Sequence, residues 1–361
     1  MEFIGSMYQE IAQKLLSAPK KWLVTGAAGF IGSHLVERLL RLNQTVVGLD
    51  NFATGFKSNI ERVLTGVSSQ QKEAFTFIEG DIRNFDVCKK TAKNVDFILH
   101  QAALGSVPRS IEDPAATNDV NVGGFVNLVF AAKENKVSRF IYASSSSVYG
   151  DNQDKIKVEE RAGTPLSPYA VSKKANELYA ATFSAHYSLS LIGLRYFNVF
   201  GPRQNPHGVY AAVIPRWISN LIHAQKCTIY GDGETSRDFC YIENVVQANI
   251  LAVGAKSPNP LAVCHDVYNV ACGESTSLNA LYKLISKDII EIYGSINNPE
   301  PSYCPFRPGD IKHSLADCSK AKENLGYHPP VGVKEGIKRT VESHYSSSSS
   351  SKLSSSSSSS S

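Results

Sequence analysis

The stretch from Lys21 to residue 42 constrains the fold more than any other part of the sequence. Lys21–Thr25 (KWLVT) reads as a strand, and residues 31–42 read as a helix with Leu35, Leu39 and Leu42 on one face. Between them lies Gly26-Ala27-Ala28-Gly29-Phe30-Ile31-Gly32. Glycines at this spacing permit a tight turn, a close approach of backbone to a diphosphate, and close packing of helix on strand. The amides that open the helix have no intrahelical partner and sit at the positive end of its dipole, so they favour an anion. In an arbitrary loop three glycines make only a turn. With a strand before and a helix after, Gly26, Gly29, Phe30, Ile31 and Gly32 read as a dinucleotide cradle.

The next segments fit that reading. Strands are predicted at residues 45–49, 76–79, 97–100, 140–143 and 191–195, and helices at 86–92, 121–135 and 169–187. Strand–helix alternation with nearly continuous apolar strands implies a parallel sheet covered on both faces, so the fold class is α/β, doubly wound and Rossmann-type. Asp50 ends the second strand, where a carboxylate accepts hydrogen bonds from ribose hydroxyls and repels a 2′-phosphate. Asn51 and Phe52 follow it and bring no arginine, which favours NAD over NADP. Asp81 and Ile82 follow the third strand, where the Asp81 carboxylate could meet the adenine amino group.

Beyond Phe200 proline and glycine become frequent and the helical patterns shorten. The predicted organisation is a dinucleotide domain over residues 1–200 with 238–265 returning to it, and a smaller α/β substrate domain over 201–345. Residues 238–253 are predicted as one long helix. Residues 346–361 are serine apart from Lys352 and Leu353, and disorder is expected there. The 361 residues are 42% hydrophobic, enough for a sizeable core. A net charge of +4 without basic blocks argues against nucleic acid as a partner. No run of 18 apolar residues exists to span a membrane. Seven cysteines without a CxxC pattern, and no secretory signal, point to reduced thiols and a cytoplasmic location. Nine histidines lack metal-ligand spacing, so no metal is expected.

Tyr169-Ala170-Val171-Ser172-Lys173 is a YxxxK element, and on a helix positions i and i+4 share a face. A tyrosine with its ordinary pKa of about 10 is a poor base at neutral pH, but a neighbouring ammonium stabilises the phenolate. Pro168 suits the first helical turn. Ser144-Ser145-Ser146-Ser147-Val148-Tyr149-Gly150 stands at the end of a predicted strand, where ligands bind in parallel sheets.

In this order, GxxGxxG, SSSSVYG and YAVSK resemble the extended short-chain dehydrogenase/reductase superfamily. The stretches GLDNFATG, HQAALGSVPRS, LSPYAVSK, LRYFNVFGPRQ and GDGETSRDFCYI are more specifically similar to UDP-hexose 4-epimerases, above all the bacterial branch acting on UDP-GlcNAc and UDP-GalNAc. The resemblance implies Tyr169 as base, Lys173 as its partner and Ser145 as hydroxyl ligand, with Ser146 and Ser147 as neighbouring alternatives. It places Gln101, Ala102, Ala103 and Asn121 against NAD, and Gly105 and Ser106 near the hexose. Asn198 would lie by the sugar or its phosphate, Ala212 and Val213 by the nucleotide, and Thr228 and Tyr230 by the uracil. Arg237 and Arg307 would clamp the diphosphate, and Asp310 would meet the uridine ribose. Ser314 would stand beside the sugar C2 substituent, where a bulky tyrosine excludes acetamido sugars and a small residue admits them. In related dehydratases and decarboxylases a carboxylate adjoins the catalytic hydroxyl; Ser146 and Ser147 stand there instead, which favours C4 epimerisation. A homodimer through helices 121–135 and 169–187 is expected, with Leu178, Ala181 and Phe183 on the outer face, as is a role in polysaccharide precursor supply. The alternatives are a UDP-glucuronate/galacturonate 4-epimerase, with Arg109 aimed at the C6 carboxylate, and a non-catalytic NAD(H)-binding protein.

Overall fold

A computed structural model describes residues 6–207, 210–255, 265–294, 300–306 and 312–356. The strand of the glycine motif lies inside a seven-stranded sheet, third from one edge. Its strands are β1 (Lys21–Thr25), β2 (Thr45–Asp50), β3 (Phe75–Glu79), β4 (Phe97–His100), β5 (Arg139–Ser145), β6 (Leu191–Tyr196) and β7 (His265–Val270). Their order is β3-β2-β1-β4-β5-β6-β7, and every neighbouring pair is parallel. The chain winds outward from β1 in one direction and then outward from β4 in the other. This reversal opens a crevice at the carboxyl ends of β1 and β4, where doubly wound sheets bind their ligands.

Helices on both faces explain the apolar strands. Trp22, Leu23, Val24, Ile98, Leu99, Phe140, Ile141 and Leu194 are all buried. The strand β7 was not expected, because its sequence His-Asp-Val-Tyr-Asn-Val reads as mixed rather than apolar. As the edge strand it needs only one neighbour, and it pairs with β6 residue for residue over His265–Val270.

The chain divides into two compact units. The first comprises Met1–Phe197, Glu243–Ala271 and Ala316–Pro330; the second comprises Asn198–Ile242, Cys272–Leu315 and Val331–Ser361. The expected boundary near 200 and a return after 238 are therefore incomplete, since 316–330 also joins the first unit. Tyr327 fastens that segment by donating its hydroxyl to the Ala271 carbonyl at 2.7 Å, and Asn269 Nδ2 donates to the Asp317 carbonyl at 2.9 Å. The expected helix 238–253 begins only at Ile242 (Ile242–Val253). Ahead of it Cys240–Tyr241 pairs with Val199–Phe200 as short strands, while the buried Asp238 carboxylate accepts the amides of Cys272 and Gly273. The last helix, Val333–Ser356, runs through 346–356, where disorder was expected. Serine is only mildly unfavourable in a helix, so a ladder begun upstream can propagate through it.

The first unit also holds an unexpected amino-terminal helix, Ser6–Ser17, that buries Tyr8, Ile11 and Leu15. Gln44 ties it down, its Nε2 donating to the Leu15 carbonyl at 2.9 Å. In the second unit Ser236–Arg237 pairs antiparallel with Thr276–Ser277 and parallel with His313–Ala316. Thr228–Tyr230 pairs with Ser302–Cys304, and Trp217 packs edge-on against Tyr282 of helix Leu278–Tyr293.

A side chain at Gly32 would overlap the Gly26 carbonyl, whereas one at Gly105 would meet nothing within 4 Å. Gly32→Ala is therefore expected to destabilise the protein by about 1–3 kcal/mol, the cost typical of overpacking. Gly105→Ala serves as the control and should leave the urea-unfolding midpoint unchanged.

Candidate active site

The glycine turn is shaped by contact with backbone. Gly26 has φ of +68°, and a Cβ there would come within 2.8 Å of the Ala102 amide. Gly29 is the N-cap of helix Phe30–Arg41 and offers no side-chain acceptor to the first amides. Those amides at Phe30, Ile31 and Gly32 remain available to an anion, and no Cβ at Gly29 stands in front of them. The cradle thus fits a dinucleotide diphosphate.

Asp50 braces this turn. Its Oδ2 accepts the Ala28 amide at 2.9 Å and its Oδ1 the Phe52 amide at 2.8 Å. Burial raises its pKa, opposed by these backbone bonds. A carboxylate has about four lone-pair sites, so acceptor capacity is left for ribose hydroxyls. Asp81 is different. It accepts the Arg83 amide (2.8 Å), Arg83 Nε (3.1 Å), Arg83 Nη2 (2.7 Å) and Asn51 Nδ2 (2.8 Å). Arg83 above all holds its pKa down to about 2. The acceptor sites that the adenine expectation relies on are thus taken by Arg83 and Asn51. Arg83 was missed in the sequence, although its place two residues after Asp81 is the spacing of a local Asx-type bond. Ile82 is buried, its side chain filling the space over Gly124.

Beyond β4, Thr25 Oγ1 pairs with His100 Nδ1 at 2.7 Å and accepts the Ala102 amide at 3.3 Å, joining the two strand ends. Burial drives His100 down to about 3, so the ring is neutral. Gln101 Nε2 donates to Asn249, Asn249 to the Tyr196 hydroxyl, and Tyr196 back to Gln101 Oε1. The Gln101 side chain is engaged in this ring of bonds, while Ala102 and Ala103 are half-buried. Asn121 lies in a π-turn, Asp119–Gly123, that precedes helix Gly124–Glu134 in place of the single helix expected. Its Oδ1 accepts the Leu104 amide at 2.8 Å, and its Nδ2 donates to the Leu104 carbonyl and to Ser172 Oγ, both at 3.1 Å. Asn121 therefore clamps the 101–105 loop to the helix that carries Tyr169.

That helix, Pro168–Tyr187, starts at an N-cap Ser167 whose hydroxyl accepts the Ala170 amide. Of the serine run, Ser145 is the member whose hydrogen bonding with Tyr169 lowers the pKa of the phenol. Ser147 donates to Ser145 Oγ from both its amide (3.2 Å) and its hydroxyl (3.0 Å). The buried Lys173 donates to the Ala143 carbonyl at 2.8 Å and lies 5.9 Å from the centre of the Tyr169 ring. Burial lowers the Lys173 pKa to about 8 and raises that of Tyr169, a rise that the Ser145 bond opposes. Ser146 is half-buried beside them. Gly105 is exposed, and Ser106 caps helix Val107–Glu112 by accepting the Arg109 amide at 3.2 Å.

The second unit groups other expected residues on its own framework. Asn198, at φ of +34°, donates to the Asp238 carbonyl at 2.9 Å. Ala212 is the N-cap of helix Val213–Ile222 and lacks a capping side chain, and Thr228 and Tyr230 bound one short strand. Arg237 Nη1 donates to the carbonyls of Ser236 (2.9 Å) and Lys312 (3.3 Å), and Ser314 is its partner in the parallel register. Arg307 and Asp310 lie outside the described residues.

The model of the NAD dependent epimerase/dehydratase family matches residues 22–271. A UDP-glucose 4-epimerase of Mycolicibacterium smegmatis is 37% identical over 323 residues, 89% of this chain and 97% of its own. A UDP-glucuronate 4-epimerase of Thermodesulfobacterium geofontis is 32% identical over 323 residues, 89% of this chain and 94% of its own. Among solved structures, the UDP-N-acetylglucosamine 4-epimerase of Methanobrevibacter ruminantium in complex with UDP-N-acetylmuramic acid superimposes with a TM-score of 0.81 at 37% identity, covering 91% of this chain and 99% of the other. Among the described residues no helix is long and apolar enough to cross a membrane. A glycine cradle on a parallel sheet, relatives aligned over nearly their whole length and a family model matched across the first unit agree: the chain belongs to the NAD dependent epimerase/dehydratase family.

Proposed function

We propose that the protein inverts C4 of UDP-N-acetylhexosamines, interconverting UDP-GlcNAc and UDP-GalNAc, with UDP-Glc and UDP-Gal as further substrates. The observation that carries this reading is the Ser145–Tyr169–Lys173 grouping, in which the residues after Ser145 are the hydroxyls Ser146 and Ser147. A second carboxylic acid beside the sugar would favour elimination, and none stands in this run.

Tyr169 takes the proton of the C4 hydroxyl, and Ser145 holds that oxygen by a hydrogen bond. Bound NAD⁺ would accept the C4 hydride and, once reduced, would return it. Lys173 in its cationic form stabilises the Tyr169 phenolate, and the positive nicotinamide adds to that effect. Asn198, Ala212, Val213, Thr228, Tyr230, Arg237, Arg307 and Asp310 anchor UDP while the sugar turns to present its other face, and Gly105 and Ser106 line its path. Tyr169 then returns the proton on the opposite side. Ser314 leaves room at C2 for an acetamido group, and a pocket that merely has room does not reject its absence. The 32% identity to a UDP-glucuronate 4-epimerase supports the rival substrate, for which Arg109 is the cation. We further infer a homodimer through the helices Gly124–Glu134 and Pro168–Tyr187. Val171, Leu178 and Tyr179 are exposed on the second of these, as is Ile111 on helix Val107–Glu112 that packs against it, whereas Phe183 is buried in the core and is not part of that face.

The first test incubates purified protein with UDP-GlcNAc, UDP-Glc or UDP-glucuronate and separates the products by chromatography. UDP-GalNAc forming fastest is the expected result; faster conversion of UDP-glucuronate overturns the substrate assignment. Ser314→Tyr should suppress the acetamido reaction and spare UDP-Glc. Tyr169→Phe should lower kcat by about 10²–10⁴-fold, the usual worth of a general base, without loss of NAD binding. Because Lys173 must be cationic and its pKa is lowered to about 8, kcat/KM should decline as pH rises through that value. In sedimentation, Leu178→Glu should yield monomers.

A further inference from the structure

Helix Pro168–Tyr187 carries a third polar residue on the face that meets β5. Tyr169, Lys173 and Glu177 recur at every fourth position and so stack along one side. Each meets one of the last three residues of β5. Tyr169 faces Ser145, whose hydrogen bonding lowers the pKa of the phenol, Lys173 donates to the Ala143 carbonyl at 2.8 Å, and Ser144 Oγ donates to Glu177 Oε1 at 2.7 Å. Glu177 also receives Arg195 of β6 in a two-point pair, Nε to Oε1 at 2.8 Å and Nη2 to Oε2 at 2.9 Å.

The same arginine reaches the chain beyond Ser145. Its guanidinium lies over the Tyr149 ring, 5.0 Å from the centre, and its Nη1 donates to the Glu159 carbonyl at 2.9 Å. Tyr149 closes the 3₁₀ turn Ser146–Tyr149 and donates to Asn269 Oδ1 at 2.6 Å; the Asn269 amide donates to Glu159 Oε1 at 2.7 Å. The network thus grips Ser145 through its neighbour on one side and through its following turn on the other.

We propose that Glu177 is a positioning residue for the reaction: through Ser144 and Arg195 it fixes the end of β5 so that Ser145 stays within hydrogen-bond reach of Tyr169. The proposal rests on the epimerase reading for its kinetic consequence, and on the bonds of Ser144, Ala143 and Arg195 to the helix for the placement of the end of β5. Glu177 and Arg195 are 5% and 2% exposed and are internal to the first unit. A buried ion pair is often replaceable by apolar residues without loss of stability, so stability alone does not account for one. The Ser144 hydroxyl gives this pair a second duty, because it links the pair to the residue before Ser145. Displacements of an ångström at reacting groups can cost two orders of magnitude in rate.

Ser144→Ala removes that link and leaves the ion pair whole. With NAD and UDP-sugar, kcat should fall roughly tenfold while KM stays within about twofold, as expected for lost orientation and not lost binding. The urea-unfolding midpoint should hardly move, and Ser144→Thr should recover most of the rate. Crystal structures of the wild type and Ser144→Ala should show the Ser145–Tyr169 oxygens farther apart in the variant. Should Ser144→Ala not fold, Ser144→Cys keeps the volume, weakens the bond and is read in the same way. A wild-type kcat in the variant, or an unchanged Ser145–Tyr169 bond, overturns the proposal. If the wild type converts no UDP-sugar, the functional reading fails by itself, and the Ser145–Tyr169 distance still decides the positioning role.

Discussion

The first unit depends on holding one helix against the end of one strand. Helix Pro168–Tyr187 brings Tyr169 and Lys173 to β5, and the Glu177–Arg195 pair ties that helix to both β5 and β6. Burying two charges is costly, and the cost is offset only when their remaining donors and acceptors are met. Here the Glu177 oxygens receive Arg195 and Ser144, and Arg195 also reaches the Glu159 carbonyl. Burial pushes the Glu177 carboxyl up, but the Arg195 bonds and charge outweigh it and leave its pKa below the ordinary value. Loss of one partner would strand the other, a change worth about 3–5 kcal/mol in comparable buried pairs.

The same economy of polar groups recurs around the crevice. Asp50 secures the glycine turn through Ala28 and Phe52, Asn121 clamps the Leu104 backbone, and Gln101 closes a ring with Asn249 and Tyr196. Each was read from the sequence as a ligand contact, and each also holds a loop in place. A side chain that is rigid before the ligand arrives loses less entropy when it binds. Asp81 goes further: Arg83 and Asn51 take its acceptor positions, so it acts as a brace between β2 and β3.

Chemistry at the crevice is set by burial. Lys173 sits among backbone and apolar groups, which lowers its pKa to about 8, and burial at the same time makes the Tyr169 phenol a weaker acid. The two shifts oppose phenolate formation in the protein alone. A bound cationic ring and a hydrogen-bonded substrate oxygen favour it. On the proposed function, this arrangement keeps Tyr169 protonated until those ligands are in place.

The sequence by itself determined the parallel sheet, the glycine cradle and the Tyr169–Lys173 face, because each follows from local spacing: apolar runs of strand length, glycines at a strand–helix junction, and an i, i+4 pair. Only the tertiary structure decided that β7 completes the sheet, that 316–330 rejoins the first unit, and that helix Ile242–Val253 starts four residues later than its pattern suggests. Those features depend on partners distant in sequence, such as Asn269 with Asp317 and Asp238 with Cys272. The same holds for the contacts of the serine run. Four identical side chains in a row do not say which partner each meets, and the Ser144–Glu177 bond comes from a helix that begins over twenty residues later.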